Sequence, residues 1–202
     1  EQIWMAENLA YLPSVSYPSQ GSATSPYFYV YGYQGIDVGE AKSTDNYKTY
    51  GALYNWPAVM GDTSSNSAKT GVCPTGWHLP SDSEWTQLMN FLIANGHNYD
   101  GTLSGNKIAK SLAASAYWAI NSEPGAIGNN LSANNSSGFS ALPGGHRIST
   151  YFSGITSFGS WWTSTKAPDP LIFRRMLNTN NSNINRSSGG KDQGFSVRCV
   201  CD

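Results

Sequence analysis

The three cysteines offer the clearest chemistry in this sequence, because thiols form disulfides, bind metals or act as nucleophiles. Cys73 precedes a strong helix-start signal, whereas Cys199 and Cys201 lie near the end of the chain, one residue apart. The sequence has no CxxC pair and no Cys/His spacing typical of zinc. On a strand, Cys199 and Cys201 would face opposite sides, so one of them can face the core and meet Cys73. Such a pairing fits an oxidising, extracellular compartment, while three unpaired thiols would fit a reducing one.

Histidines and carboxylates are too scattered to predict a catalytic centre. His78 leads into the predicted helix and is expected to form structural hydrogen bonds; His97 follows the helix and is expected to be exposed. His146 lies in PGGHR and could belong to a polar surface or to a capped turn. The other carboxylates considered lie in separate predicted loops: Glu123, Asp169 and Asp192. Because GxSxG, P-loop and GxGxxG motifs are also absent, no catalytic residues are predicted.

Calcium-dependent sugar binding is the metal chemistry that remains open. Calcium takes roughly six to eight oxygen ligands, usually including carboxylates. The loop 121–135 offers Glu123 followed by Pro124 and several asparagines, but glycine rather than asparagine follows the proline. The segment GSWWTST also lacks an acidic residue. We therefore predict no cofactor, with calcium as the alternative.

Composition limits the class of protein and its partners. The chain has 202 residues, with 12% charged, 13% aromatic and a net charge of -1. That length can bury a substantial core, and the aromatic content argues against disorder. The nearly neutral charge gives no reason to expect nucleic acid as a partner. No apolar run approaches the roughly 20 residues needed to span a bilayer, so no membrane insertion of this segment is expected.

Local patterns predict helices in the first half of the chain and strands near its end. Ser81 and Glu84 form a capping box before an apolar stripe made of Trp85, Leu88, Met89 and Leu92. A second helix is predicted over 106–115, with Ile108, Leu112 and Ala116 on one face, and a short one from Trp56. A strand is predicted over 3–12, an irregular region with a short strand or hairpin over 13–49, and polar loops over 62–71 and 119–138.

Four further strand-like pieces follow: GFSALPGGHR, GSWWTSTK, LIFRRMLNT and GFSVRCV. This order predicts an α+β domain with an antiparallel sheet. Because Trp161 and Trp162 are adjacent on a strand, one is expected to face the core and the other to face outward or towards a loop. Trp56, Trp77 and Trp85 are expected in the core.

Six motifs in a fixed order carry a family resemblance: WMAENLAY, YGALYNW, CPTGWHLPSDSEW, GFSALPGGHR, WWTST and GFSVRCV. Together they resemble the Fibrobacter succinogenes major paralogous domain of bacterial surface and secreted proteins. HLPSDSEW and GFSVRC are also similar to formylglycine-generating-enzyme-like domains and to retroelement variable proteins. The resemblance implies a C-type-lectin-like fold with two main helices, a small twisted antiparallel sheet, long loops and a Cys73–Cys199 disulfide. We expect one such domain over 1–202, which could be the C-terminal part of a longer surface protein.

The same resemblance also predicts a ligand-binding surface. The diversified residues of retroelement variable proteins precede the final strand, where this chain has LNTNNSNINRSSGGKDQG. The matching candidates are Asn178, Asn180, Asn181, Asn183, Asn185 and Arg186, and the alternative is an ordinary polar hairpin. Tyr151 and Phe152 could add an aromatic platform for a sugar or peptide. The chain lacks the RCxxSxC-like segment of the formylglycine-generating enzymes.

The function expected from these residues is therefore binding rather than catalysis. The first hypothesis is a secreted or surface-displayed domain, not an enzyme, that binds an extracellular glycan or protein ligand. Such a domain could act in an adhesin or at a pilus tip. The second hypothesis is a structural or assembly domain without a small ligand. The third is an enzyme of the formylglycine-generating type. The fold alone does not separate them, because function depends on the site.

Overall fold

The computed structural model describes residues 2–61 and 71–201. The helices of this part are α1 Val38–Ser43, α2 Asp45–Tyr50, α3 Trp56–Met60, α4 Asp82–Ala94 and α5 Ala109–Leu112. Its strands are β1 Ile3–Trp4, β2 Phe28–Tyr29, β3 Leu53–Tyr54, β4 Gly144–Ile148, β5 Tyr151–Ile155, β6 Phe158–Lys166, β7 Leu171–Asn178, β8 Asn185–Gly190 and β9 Val200–Cys201. The chain therefore folds as a mixed α and β structure. The predicted polar loop 62–71 lies, except for Gly71, outside the described residues.

A five-stranded sheet in the order β5-β4-β6-β7-β8 forms the centre of the structure. Its neighbours are antiparallel, except that β4 and β6 run parallel where Gly145 lies beside Gly159. Beyond that bridge the segment 194–196 lies between the two strands. Gly194 exchanges backbone hydrogen bonds of 2.8 and 2.9 Å with Arg147, and Ser196 pairs with β6. Two short ribbons, β1–β9 and β2–β3, complete the strand pairing.

Two buried clusters lie on opposite faces of β6, and each receives one of its two adjacent tryptophans. Trp161 packs with Trp85 of α4 in one cluster, and Trp162 packs with Trp56 and Phe195 in the other. Trp161 and Trp162 are 1% and 0% exposed. The expectation that one of them faces outward is therefore wrong, because both faces of β6 are covered at these two residues. Trp56 and Trp85 lie in the core as predicted, and Trp77 is half-buried against it.

Helix α4 begins at the predicted capping box. The Ser81 side chain accepts a hydrogen bond from the Glu84 backbone, and the Glu84 carboxylate accepts one from Ser81 N. His78 Nε2 lies 2.6 Å from the other Glu84 oxygen, in keeping with a structural role. Burial raises the pKa of the Glu84 carboxyl, but its hydrogen bonds with Ser81 and His78 have the larger combined effect. The pKa of Glu84 is therefore lowered. The helix ends at Ala94, just before Gly96, whose φ of 78° favours glycine.

The prediction of two main helices is not supported, because only α4 has the expected length. The second helix, predicted over 106–115, is reduced to the four residues of α5. Asn106 instead bonds Ile184 through its side chain, and Ala114 N donates to Ala141 O at 2.8 Å. Ala116, expected on the buried face, is exposed. Tertiary hydrogen bonds therefore displace the helix at both of its predicted ends.

Four other elements differ from the sequence prediction. The strand predicted over 3–12 is regular only at β1, and the irregular region 13–49 contains α1 and α2, capped by Asp37 and Thr44. Strands β5 and β8 were not predicted. The turn before β5 uses Ser149 at φ 56° instead of glycine, and β8 has the sequence NRSSGG, which lacks β-branched residues.

A disulfide joins Cys73 to Cys199 across a sequence separation of 126. Both cysteines belong to the cluster that contains Trp162. Cys201, two residues later, is free and half-buried. The bond thus connects the lead-in to α4 with the segment just before β9.

Buried cationic side chains hold several loops through backbone carbonyls. Arg147 donates to Pro18 O at 2.9 Å and to Asp192 O at 2.5 Å. Arg198 donates to the carbonyls of Phe139 and Ser140, and its burial lowers its pKa to about 9. Lys110 donates to carbonyls in the loop 126–130. These contacts compensate the cost of burying the charges.

Candidate functional site

Strands β7 and β8 present two chemically different faces. Paired residues of antiparallel strands share a face, and successive residues alternate. The face towards α4, here called the helix face, carries Arg175 and its cross-strand partner Arg186. The other, here called the open face, carries half-buried side chains in direct cross-strand pairs: Arg174 with Ser187, Met176 with Asn185, and Asn178 with Phe158. Trp162 of β6 lies directly opposite Arg174 on this face, and its buried cluster, which includes Ile172 and Phe195, covers the face on this side of Met176.

On the helix face, one carboxylate neutralises two arginines. Asp82 accepts from Arg175 Nε at 2.9 Å and from Arg186 Nε at 2.7 Å. Arg175 also donates to Thr86 Oγ1 at 2.9 Å, and the Arg186 guanidinium lies 3.6 Å from the centre of the Phe173 ring. Arg186, a predicted ligand residue, is therefore already paired in a network that fixes α4 to the sheet.

Arg174 on the open face is less well satisfied. Its guanidinium lies over the Phe195 ring, 4.4 Å from the ring centre. Its Nε and Nη1 atoms are buried and have no hydrogen-bond partner among the residues that the structure describes. Burial lowers the pKa of this guanidinium, but the group stays charged at neutral pH. An unpaired buried donor is unusual, because such groups normally find a partner in the protein, water or a ligand.

Two further polar groups without a partner among the described residues lie on the same face of the sheet as Arg174. His146 and Ser160 follow the bridged pair Gly145 and Gly159, so their side chains share the face opposite to that pair. His146 Nδ1 and Ser160 Oγ are both buried without a hydrogen-bond partner. His146 is 7% exposed and Ser160 is 0% exposed. The His146 ring contacts Phe195, with 6.2 Å between the ring centres.

Burial and, to a smaller extent, the charge of Arg174 lower the pKa of His146 to about 4. His146 is therefore neutral near pH 7, and one of its ring nitrogens carries a proton. We call His146, Ser160 and Arg174 the donor cluster. At neutral pH it holds one positive charge and hydrogen-bond donors without protein partners.

The predicted amide-rich segment forms a turn that is anchored to the rest of the structure. Ile127 N donates to Asn181 O at 3.2 Å, and Ala109 N donates to Ser182 O at 3.0 Å. Within the turn, Asn178 accepts from Asn180 N, and Asn183 donates to Asn185 Oδ1 at 3.0 Å. Of the six predicted residues of this segment, Asn178 and Asn185 lie on the open face, and Arg186 lies on the helix face.

Tyr151 and Phe152 lie apart from this hairpin. They belong to β5, at one edge of the sheet, whereas Asn185 and Arg186 belong to β8 at the other edge. At least four strand spacings of about 4.8 Å separate these edges, or at least roughly 19 Å along the sheet. Tyr151 is 58% exposed, and Phe152 packs against Tyr31. The structure therefore does not unite the predicted aromatic platform with the amide-rich hairpin.

A second surface lies beside α4. An open groove of about 860 Å³ is lined by polar side chains and by Phe91, which is 62% exposed. A smaller groove of about 280 Å³, lined by Trp4, Leu88 and Phe91, adjoins it. These grooves give this side of the molecule a partly apolar surface.

Sequence reasoning did not identify Arg174, Ser160 or Phe158 as site residues, and it left the role of His146 open. The signal that was available is the pair of adjacent arginines in LIFRRMLN, because adjacent residues of a strand face opposite sides. The strand register decides which of the two adjacent arginines meets Asp82, and a single sequence does not contain that register.

Within 2–61 and 71–201, no group of three or more His, Cys, Asp and Glu side chains could hold a metal ion. Glu123, considered as a calcium ligand, is exposed in its loop. In the same part of the chain, none of the helices has both the length and the apolar character needed to span a bilayer.

The fold and its covalent link define a disulfide-bonded mixed α and β protein built around a five-stranded sheet. The chain belongs to the Fibrobacter succinogenes major domain family, whose model matches residues 1–201. The resemblance drawn from the six sequence motifs is thereby confirmed. Comparisons with curated proteins and with solved structures gave no match.

Proposed function

We propose that this protein is a non-catalytic binding domain of the C-type-lectin-like type that recognises an extracellular glycan through its open face. The observation that carries the proposal is a surface of half-buried polar side chains above buried donors without partners. Asn178, Asn185 and Ser187 can hydrogen-bond sugar hydroxyls, while Phe158 and Met176 supply apolar contact. An oxidising, extracellular location fits the Cys73–Cys199 disulfide.

Family membership supports the proposal only indirectly. By resemblance to retroelement variable proteins, ligand residues are expected before the final strand, and Asn178 and Asn185 of that segment have their side chains on the open face. A protein ligand is the alternative occupant of the same surface. Amide and hydroxyl groups in shallow positions, with few charges, favour a sugar over a charged peptide.

An array of glycans and extracellular-matrix proteins tests this function. Purified protein is applied with calcium and with chelator, alongside N178A/N185A and a control, N90A, on the groove beside α4. We expect a glycan signal that is independent of calcium, weakened at least tenfold by N178A/N185A and unchanged by N90A. A signal lost with chelator would point to calcium-dependent binding. A signal from the matrix proteins alone would mean that the ligand is a protein and not a glycan. Equal loss in both variants, or no signal, would count against the open face.

The second candidate function is a structural or assembly domain of a bacterial surface protein or pilus. The observation that favours it is the exposed Phe91 between two grooves beside α4. Exposed aromatic side chains in grooves are common at protein interfaces. Under this function F91A would abolish incorporation of the protein into its assembly, and N178A/N185A would not. Unchanged incorporation of F91A would exclude this role for the groove.

A further inference from the structure

We infer that the ligand of the open face is an acidic sugar whose carboxylate binds the donor cluster formed by His146, Ser160 and Arg174. This inference rests on the proposed glycan-binding function and specifies its substrate class. Its starting point is the set of four buried polar atoms without partners: Arg174 Nε, Arg174 Nη1, His146 Nδ1 and Ser160 Oγ. These atoms belong to three strands of one sheet, and all of them lie on the same face of that sheet.

Comparison with the other buried arginines shows that Arg174 is exceptional. Arg147 donates to two backbone carbonyls, and Arg175 is bound to Asp82. Arg198 leaves Nε unpaired but donates through both terminal nitrogens. Ion pairs described in residues 2–61 and 71–201 connect Asp82, Glu84 and Asp100 to other residues, and none of them includes Arg174. Arg174 is thus a half-buried cation with two buried N–H groups, and the residues that the structure describes provide no counterion for it.

A carboxylate matches the number and charge of these donors. Its two oxygens can accept two parallel hydrogen bonds from the Nε and terminal N–H groups of one guanidinium. The Ser160 hydroxyl and a protonated ring nitrogen of His146 can supply further donors. Because His146 is neutral at pH 7, the cluster carries a single positive charge, which one carboxylate neutralises and a doubly charged phosphate would exceed.

The surroundings of the cluster favour a sugar as the carrier of that carboxylate. Asn185 and Ser187 are the direct cross-strand neighbours of Met176 and Arg174, so hydroxyl-binding groups lie beside the cluster. Phe158 borders it on the other side, with 5.7 Å between its ring centre and that of His146. A uronic or sialic acid combines the acid, hydroxyl and apolar surfaces that these residues can contact.

Titration of the isotope-labelled protein with small acids tests the inference directly. The side-chain N–H resonances of arginine are followed by NMR while glucuronate, galacturonate or N-acetylneuraminate is added. The matched ligands are their methyl esters, which keep the sugar but lose the charge. We expect the acids to shift the Arg174 Nε–H resonance saturably and to bind at least tenfold more tightly than the esters. Equal binding of acid and ester, or no shift with any of the three acids, would overturn the inference.

Two charge-matched variants separate the cluster from general electrostatic attraction. R174Q and R186Q remove the same charge from opposite faces of the sheet. We expect R174Q to lose the preference for acid over ester and R186Q to keep it. R174K, which keeps the charge without the planar fork, is expected to retain less than a tenth of the affinity. Equal weakening by R174Q and R186Q would contradict the site.

Further ligands distinguish the source of the anion. N-acetyl-aspartate amide represents an acidic peptide, and sodium sulfate represents an inorganic anion. Binding of either one as tight as that of the sugar acids would contradict the acidic sugar. If the arrays instead report neutral glycans bound by the open face, glycan binding stands and only the carboxylate inference fails.

Discussion

Arg174 and Arg175 are adjacent on β7, but within 2–61 and 71–201 only Arg175 has an ionic partner. Arg175 is 3% exposed and binds Asp82 of α4, whereas Arg174 lies over Phe195 on the opposite face with two unpaired N–H groups. Because successive side chains of a strand face opposite sides, Arg175 makes a structural contact and Arg174 is a candidate ligand contact.

Replacing each arginine by methionine should therefore have different consequences for stability. R175M leaves Asp82 without its buried partner and should lower the free energy of unfolding by about 3 kcal/mol. R174M removes buried donors that lack partners and should be neutral or stabilising by about 1 kcal/mol. Urea denaturation of the three proteins measures the difference. Equal destabilisation by both variants would mean that Arg174 has a partner in the folded protein.

Removal of the disulfide should lower stability substantially. A covalent link across a sequence separation of 126 restricts the unfolded chain. The chain-entropy model gives about 4–5 kcal/mol for such a loop. C73A/C199A should show this loss in urea denaturation, and C201A serves as the control because Cys201 is free. A comparable loss in C201A would point to a role for this thiol in the fold.

Acid should destabilise the protein through His146. Its pKa is about 4 in the folded state and about 6.5 in the unfolded state, so the unfolded state binds more protons between these values. The stabilising contribution of neutral His146 is complete above pH 6.5 and is lost as the pH falls towards 4. The change is about 3 kcal/mol. Denaturation at a series of pH values should show this slope in the wild type, and H146Q should reduce it.

The part of the slope between pH 4 and 6.5 that belongs to His146 is the difference between the wild type and H146Q. The carboxyl pKa of Glu84 is lowered, and that of Asp100 is lowered to about 2, chiefly by its bond to Lys107. An unchanged slope in H146Q would mean that His146 is protonated in the folded state or exposed to solvent.

Both tryptophans of β6 should be essential for stability. Trp161 and Trp162 are buried in separate clusters on its two faces. Truncation of either to alanine should lower the free energy of unfolding by about 3–5 kcal/mol, as for other buried aromatic residues. The control is Y151A at an exposed position, for which a change below about 0.5 kcal/mol is expected. Denaturation curves that show a small effect for one tryptophan would mean that one face of β6 is open.

Local signals in the sequence explain which elements were predictable. The capping box of Ser81 and Glu84, the start of α3 at Trp56 and the strands β6 and β7 follow from residue types alone. Strand β8 did not, because NRSSGG becomes a strand only through pairing with β7. Helix α5 is short because the hydrogen bonds of Asn106 and Ala114 compete with the helix at both ends.

The candidate site was predictable only in part. Asn178 and Asn185 were identified from the resemblance and lie on the open face, although their binding role remains a prediction. Arg186 was identified by its position in the hairpin, but its contact with Asp82 depends on the packing of α4. Arg174 and Ser160 were missed because what marks them is that their buried polar atoms lack hydrogen-bond partners among the described residues. This can be recognised only after the packing is known.

The disulfide also determines how the chain would respond to tension. If a force pulled on both ends, the load would pass through the bond between Cys73 and Cys199, and the residues between them would not extend. Only the segments outside the loop could lengthen, to about 260 Å, against roughly 700 Å for the reduced chain. The five-stranded sheet and helix α4 lie inside the loop, so they would be shielded from the load.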